Sequence, residues 1–438
     1  MTEPMRILMI SEHASPLATL GGVDAGGQNI YVAHVARSLA RLGHQVDVLT
    51  RRDHPNAPIT VDMAPGVRVI HIEAGPRTFV PKEELLAHMN EFARSALRLL
   101  RNSRPYDLAH AHFFMSGRVA QHLLRSLGLP FVITFHALGL VRLRHQREAD
   151  AFPPERLGIE LELVRDAACV IAECPQDALD LEDLYAADPA RMAMIPCGVD
   201  QVEFGPANRA QERKALGLRD DEFIILQLGR LVPRKGIDNV IRSLAHLPAH
   251  VPARLLVVGG DTETPDEART PEIGRLRRIA ADCGVADRVD FIGHRKRTEL
   301  RRFYAAADVF ATTPWYEPFG ITPLEAMACG TPVVGSAVGG IKFSVVDGVT
   351  GFLVPPLDPV ALAGRLADLH ANPGLARAMG RAGMARTRSL FTWDHVAGAL
   401  AEVYADVVAT RTEPAALPGI DAWQQPPRSA VVRALHSP

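Results

Sequence analysis

The sequence predicts an α/β fold: two doubly wound, parallel-sheet domains facing a cleft. Three observations carry this. Short apolar, β-branched runs alternate with amphipathic stretches, the pattern of a parallel sheet covered by helices on both faces. The alternation runs, breaks and starts again, so there are two such units. The 438 residues are 47% hydrophobic, which is enough chain and enough apolar side chain for two cores.

In chain order, the first set of strands is RILMI (6–10), QVDVLT (45–50), VRVIHI (67–72), YDLAHAH (106–112), PFVITFH (130–136) and ACVIA (168–172). Between them lie helical stretches. NIYVAHVARSLARLG (29–43) is ended by Gly43. EELLAHMNEFARSALRLLRN (83–102) places Leu86, Met89, Phe92, Ala93, Leu97 and Leu100 on one buried stripe. The break is IPCGVDQVEFGPAN (195–208), rich in Gly and Pro. The second set is FIILQLG (223–229), RLLVVGG (254–260), RVDFIG (288–293), DVFAT (308–312), PVVGS (332–336) and GFLVPP (351–356). The expected division is one Rossmann-like domain over 1–200 and another over 201–391. No strand follows TWDHVAGALAEVYADVVA, and a helix over 392–410 is expected to pack back on the first domain. Residues 411–438 are Pro-rich and aperiodic, and are expected to form a flexible tail. Ligands of such sheets sit outside the strand carboxyl ends, at the cleft.

A formal net charge of −2 with 6% aromatic residues gives nucleic-acid binding no support. Basic clusters at Arg142, Arg144 and Arg147, and at Arg295, Lys296, Arg297, Arg301 and Arg302, read as solvated helix faces or as contacts for an acidic ligand. They leave peripheral membrane contact open. The five cysteines form no C-x-x-C pair, which fits a reducing compartment. The N-terminus lacks the pattern of a signal peptide, and no run approaches the ~20 apolar residues of a membrane span. A cytoplasmic location is expected.

Four stretches carry candidate chemistry. In GGVDAGGQNIYV (21–32), glycine pairs permit close backbone approach, and a helix beginning near Gln28 offers N–H groups to an anion. Gly22, Gly27 and Gln28 are the candidates there. The stretch is not G-x-G-x-x-G and its loop is long, which counts against a dehydrogenase. TFHALG (134–139) ends an apolar strand and brings Thr134 and His136 to the cleft, where His136 can meet a sugar hydroxyl or developing charge. The alternative is a histidine satisfied within the core. Upstream, AHAHFFMSG brings His110, His112, Phe113 and Ser116 to another strand end as further lining candidates.

LGRLVPRKG (228–236) sets Arg230 and Lys235 five apart at a strand end, a planar donor fork and a point charge suited to a diphosphate. A solvated basic loop is the alternative, and no Walker A loop is present. In YEPFGITPLEAMACG (316–330), Glu317 lies in a loop and Glu325 on the helix that follows. Thr322 is placed to cap that helix and Pro323 suits its first turn, so Gly320, Ile321 and Thr322 can offer N–H groups. Each carboxylate can accept a pair of vicinal hydroxyls, so the two can hold different parts of one ligand. No Asp-X-Asp occurs. Cations and a helix end would then serve where a metal otherwise would, and neither metal nor cofactor is expected.

GGVDAGGQNIYV, IPCGVD, GRLVPRKG, the E-x7-E pair and CGTPVVGSAVGG, in this order over about residues 5–410, resemble glycosyltransferase family 4. The resemblance implies the GT-B fold and retaining transfer of a hexosyl group from a nucleotide diphosphate sugar to a hydroxyl. It implies that Arg230 and Lys235 hold the donor diphosphate, that Glu325 meets the ribose, and that Glu317 with Gly27 and the Phe319–Thr322 backbone holds the donor sugar and phosphate. His136 would approach the bond that breaks. Within the family, EHASPLATLGGVDAGGQNIYV and HAHFFMSG are similar to the sucrose-phosphate synthase group and to the mycothiol N-acetylglucosaminyl-inositol-phosphate synthases. The latter hold an acceptor phosphate with a Lys and an Arg, and Lys82 and Arg156 fall at similar places. Phe113 or Phe114 stands where they have a tyrosine, so one hydroxyl contact is missing. Gly22, Gln28, Lys82, Phe113, Thr134 and Arg156 are thus the acceptor candidates. The acceptor stays open among sugars, polyols, their phosphates and lipid-linked chains. A non-catalytic or epimerase-type sugar-nucleotide binder on the same fold is the rival reading.

Overall fold

In a computed structural model, which describes residues 3–18, 26–146 and 151–410, the chain builds two sheets. The first contains β1 (Arg6–Ile10), β2 (Gln45–Arg51), β3 (Thr60–Ala64), β4 (Val67–Ile72), β5 (Leu108–His112), β6 (Phe131–Thr134), β7 (Cys169–Ala172) and β8 (Met192–Met194). Their order is β3-β4-β2-β1-β5-β6-β7-β8, parallel except for β3, which runs antiparallel to β4. The second contains β9 (Phe223–Leu228), β10 (Ala253–Val258), β11 (Val289–Gly293), β12 (Val309–Thr312), β13 (Val333–Ser336) and β14 (Gly351–Val354). It is parallel throughout, in the order β11-β10-β9-β12-β13-β14.

The central strands are apolar because both faces are covered. Ile7, Leu8, Met9 and Ile10 have no exposed surface, and β1 pairs Ile7 with Val46 on one side and Leu108 on the other. The strand order reverses between β1 and β5 in one sheet and between β9 and β12 in the other. A crevice opens at the carboxyl ends of such neighbouring strands, and the loops leaving those strands carry the motif residues.

The chain crosses between domains near Val199 and returns at Phe391–Trp393. The crossings are tied together: Val199 N donates to Phe391 O at 2.7 Å, and Val199 bridges Thr392. Thr392 Oγ1 accepts from His395 N at 3.2 Å and caps helix Trp393–Ala409. That helix lies against the first domain. Tyr404 OH meets Nδ1 of His110 at 2.6 Å, and Trp393 stacks on His34 and meets Tyr31 edge-on. Residues 411–438, read above as a tail, lie outside the described residues.

Two strands were not expected. β3 and β8 are edge strands with substantial exposure, so neither presents the continuous apolar run of its neighbours. The stretch at 83–102 is also not one helix. A 3-10 turn at Leu85–His88 precedes an α-helix at Met89–Arg101. Among the described residues no helix is long and apolar enough to cross a membrane.

Candidate active site

A cleft of about 890 Å³ separates the carboxyl ends of the two sheets. Its wall includes Gly27, Gln28, Lys82, Phe113 and His136 from the first domain. From the second it includes Arg230, Lys235, Glu317, the Phe319–Thr322 backbone and Glu325.

On the second-domain side, the chain leaves β9 through Arg230 and makes a 3-10 turn at Pro233–Lys235. Gly236 ends the turn with φ +64°, and any Cβ there would overlap the Thr313 carbonyl, so glycine is required for the turn to lie on β12. Lys235 Nζ donates to Glu317 Oε2, and Arg234 Nη1 lies 3.9 Å from the same oxygen. Burial, with Arg234 and Arg230 close by, pushes the Lys235 ammonium down to about 8 despite Glu317. Burial would raise the Glu317 carboxyl, but Lys235 and Arg234 outweigh it and hold the group below its ordinary value. Three cations and one carboxylate therefore share a partly dehydrated corner, an arrangement that favours an incoming anion.

The Glu317 loop is clamped from behind. Gly340 N donates to Glu317 O and to Pro318 O, both at 3.2 Å, and a Cβ at Gly339 would overlap the Glu317 carbonyl. The loop then enters helix Ile321–Ala328 through Gly320, with φ +90°. Thr322 was expected to cap this helix. Instead Gly320 is the cap residue and no side chain caps the first turn, so its N–H groups face the cleft with no competing side-chain oxygen. One turn further, Glu325 is buried. Its Oε1 accepts from Arg297 Nη1 at 2.8 Å and its Oε2 from Tyr304 OH at 2.9 Å.

On the first-domain side, helix Gly27–Arg41 points its N-terminus at the cleft, and a Cβ at Gly27 would lie 3.6 Å from Ile321 Cδ1 across the gap. Gln28 Nε2 donates to Ser11 Oγ at 3.1 Å and His112 O at 3.2 Å. His136 follows β6 with φ +57°, a left-handed conformation that costs a non-glycine residue about 1–2 kcal/mol. Its Nδ1 meets Glu173 Oε1 and its Nε2 meets His112 Nδ1, both at 3.1 Å. The ring is thereby fixed from both nitrogens.

Residues 25–202 match the family described as Glycosyltransferase Family 4, and residues 208–386 match Glycosyl transferases group 1. The D-inositol 3-phosphate glycosyltransferase of Acidothermus cellulolyticus is 39% identical over 93% of this chain and 92% of its own. The chain belongs to glycosyltransferase family 4. Among solved structures, sucrose-phosphate synthase from Thermosynechococcus elongatus shares 35% identity at a TM-score of 0.85, covering 93% of this chain and 100% of that one. Anabaena HepE, solved with UDP and glucose, has the same fold at a TM-score of 0.70 and 22% identity, over 92% of this chain and 100% of its own. The two parallel-sheet domains are thus the GT-B arrangement.

In this family 4 glycosyltransferase, not every candidate from the sequence reaches the cleft. Gly22 lies outside the described residues. Thr134 is fully buried, with Oγ1 held by His110 Nε2 at 2.9 Å. His110, His112 and Ser116 are also buried: β5 is a central strand with every residue covered, and Ser116 lies on the buried face of the helix that follows it. Arg156 is 2% exposed. Its Nε pairs with Glu160 at 2.7 Å, its Nη2 donates to Ala137 O at 2.5 Å, and Phe113, Phe114 and Phe152 pack on its guanidinium. It supports the backbone beside His136 and does not line the cleft. Other side chains that shape the cleft were not singled out as site residues. Arg234 sits within the Arg230–Lys235 motif, and the R-K pair was a readable sign of it. Glu173, Tyr304 and Arg297 are brought in only by tertiary contacts.

Proposed function

We propose that this enzyme transfers a sugar from a nucleoside diphosphate sugar to a hydroxyl of a phosphorylated sugar or polyol, with retention at the anomeric carbon. The observation that carries this reading is the convergence of Arg230, Arg234, Lys235 and the uncapped helix end Ile321–Thr322 on the cleft that also holds Glu317 and Glu325. Breaking the anomeric bond leaves positive charge on the sugar ring and negative charge on the departing diphosphate. Fixed cations and N–H groups aimed at that developing charge lower the barrier; one such donor is worth roughly 3 kcal/mol. Glu325 suits the ribose diol, and Glu317 suits hydroxyls of the donor sugar once an anion draws Lys235 away from it.

The first-domain wall is the acceptor side of this reading. Lys82 and Arg142 line it, which suits an acidic acceptor. The relatives named above, an inositol 3-phosphate glycosyltransferase and a sucrose-phosphate synthase, carry a phosphorylated polyol or sugar in their names. In this reading His136, which lines the cleft, approaches the bond that breaks. In a front-face course, that departing phosphate oxygen takes the acceptor proton. The cationic corner gives the diphosphate its counter-charge, so we also propose that no divalent metal is needed.

Nucleotide sugars are to be incubated with inositol phosphates, hexose phosphates and their dephosphorylated forms, and the products read by mass spectrometry. Transfer confined to phosphorylated acceptors supports the reading, and transfer confined to unphosphorylated ones refutes it. Release of an isomerised sugar without any acceptor would favour the epimerase alternative. Turnover should survive EDTA; a strict requirement for added metal would overturn the metal-free proposal.

A further inference from the structure

Glu325 is joined to the interdomain linker through its two side-chain partners. Arg297, at the start of helix Arg297–Ala306, donates from Nη1 to Glu325 Oε1 at 2.8 Å and from Nε to Glu203 Oε2 at 2.6 Å. Glu203 belongs to the linker between the domains and does not line the cleft, whereas Glu325 and Arg297 do. The linker is gripped twice. The Arg297 guanidinium lies 4.6 Å over the ring of Phe204, and Phe204 packs edge-on against Tyr304, the other partner of Glu325. Glu325, Arg297, Phe204 and Tyr304 thus form a closed ring of contacts. From its other side the linker meets the first domain: Asp200 and Glu203 lie 3.8 and 3.9 Å from the two nitrogens of His34, whose ring stacks on Trp393 at the return crossing.

We propose that Arg297 is a positioning residue that couples occupancy of the donor side of the cleft to the setting of the interdomain linker. The inference rests on the reading that Glu325 accepts the ribose hydroxyls of the donor. A carboxylate that takes two hydroxyl hydrogen bonds has less negative charge to offer Arg297, and the guanidinium shifts its weight toward Glu203. The coupling is reciprocal: whatever sets the linker also sets how Glu325 meets the donor. The ring transmits this through packed and hydrogen-bonded groups, with Phe204 fully buried.

The test measures the Kd of UDP by calorimetry on the full chain, with GDP and ADP alongside, for wild type, Glu203→Gln, Arg297→Met, the double variant and Glu325→Gln. The tightest-binding nucleotide is then used throughout. Small-angle scattering with and without that nucleotide reports domain closure. Glu203→Gln, outside the cleft and 40% exposed at its side chain, should fold normally. It should weaken the nucleotide about fivefold, at the low end of typical coupling, and reduce the compaction seen on binding. In the Arg297→Met background the same change should have no further effect. If Glu203→Gln leaves Kd within twofold of wild type, or adds its full effect to that of Arg297→Met, the coupling is refuted even where Glu325→Gln weakens binding. If Glu325→Gln leaves Kd unchanged, the ribose reading itself falls and takes the proposal with it.

Discussion

Lys235 gives the cleft a pH dependence whose size follows from its surroundings. The drop of its ammonium from 10.5 to about 8 is worth about 3 kcal/mol against the charged form in the ligand-free protein. Burial and the neighbouring arginines cause it, and a diphosphate placed among Lys235, Arg234 and Arg230 reverses it by supplying compensating negative charge. The sign follows. Between about pH 8 and 10.5 the free folded protein holds fewer protons at this residue than either the unfolded chain or the nucleotide complex. The residue's cost to folding is therefore full below about pH 8 and fades as pH rises through that window. Nucleotide binding must take up protons there, and affinity must fall as pH rises above about 8. With a free value near 8, the protonated fraction falls about tenfold between pH 7 and pH 9, so the Kd of the tightest-binding nucleoside diphosphate should weaken by about that factor. Titration calorimetry in buffers of different ionisation enthalpy measures the uptake directly, about half a proton per site at pH 8. The phosphate's second ionisation near pH 6 lies below this range. Lys235→Ala should bind more weakly at pH 7 and lose the pH dependence. A wild-type Kd that is flat from pH 7 to 9, or a dependence that survives in Lys235→Ala, would refute the account of this corner.

Further consequences are checked by thermal unfolding together with turnover. Gly236→Ala must place a Cβ at φ +64° into the Thr313 carbonyl, so it should cost more than about 2 kcal/mol and displace Lys235, lowering Tm and turnover together. Tyr404→Phe removes the hydroxyl 2.6 Å from His110 in a fully buried contact between the last helix and β5; a loss of about 1–2 kcal/mol is expected with little change in turnover. Arg156→Leu takes the counter-ion from Glu160, which has no exposed surface and keeps only its Gly139 N and Tyr185 OH donors, and should cost about 3–5 kcal/mol, whereas Arg156→Met with Glu160→Gln, which keeps an amide oxygen for those donors, should recover part of it. Acceptor KM near the wild-type value in that double variant would accord with Arg156 acting from behind the wall.

Most of the twelve strands legible in the sequence are short apolar runs buried on both faces, as in β1, β6, β9 and β12, and the others, such as VRVIHI, keep enough buried Val and Ile to be read. β3 and β8 were illegible for the opposite reason: residues such as Thr60, Asp62 and Met194 are exposed at a sheet edge. In the site, Arg230, Lys235, Glu317 and Glu325 were readable because each lies within a few residues of a strand end or helix start, where local geometry alone directs it. Glu173 and Arg297 act through partners 37 and 28 residues away, a relation that spacing does not encode. Arg156 shows how a correct local sign can be missed. Glu160 lies four residues on along one helix, the spacing of an intrahelical ion pair, and that pair holds the Arg156 Nε behind the cleft wall.

Several contacts across the cleft, among the described residues, bear on the loop carrying Glu317 or on its support. Gln146 of the first domain donates to Tyr316 OH, His145 stacks on the Tyr316 ring at 4.7 Å, and Cys174 Sγ donates to Pro318 O at 3.3 Å. Lys342 Nζ, two residues beyond the Gly339–Gly340 clamp, donates to Gln176 Oε1 at 3.0 Å. Polar contacts of this kind are each worth on the order of 1 kcal/mol or less, so no one of them fixes the two domains against each other. Gly339 and Gly340 fit so tightly beneath Glu317 and Phe319 that the loop cannot shift without its domain. A sugar nucleotide that engages Glu317 and the helix end is therefore expected to act on the whole second domain through this clamp.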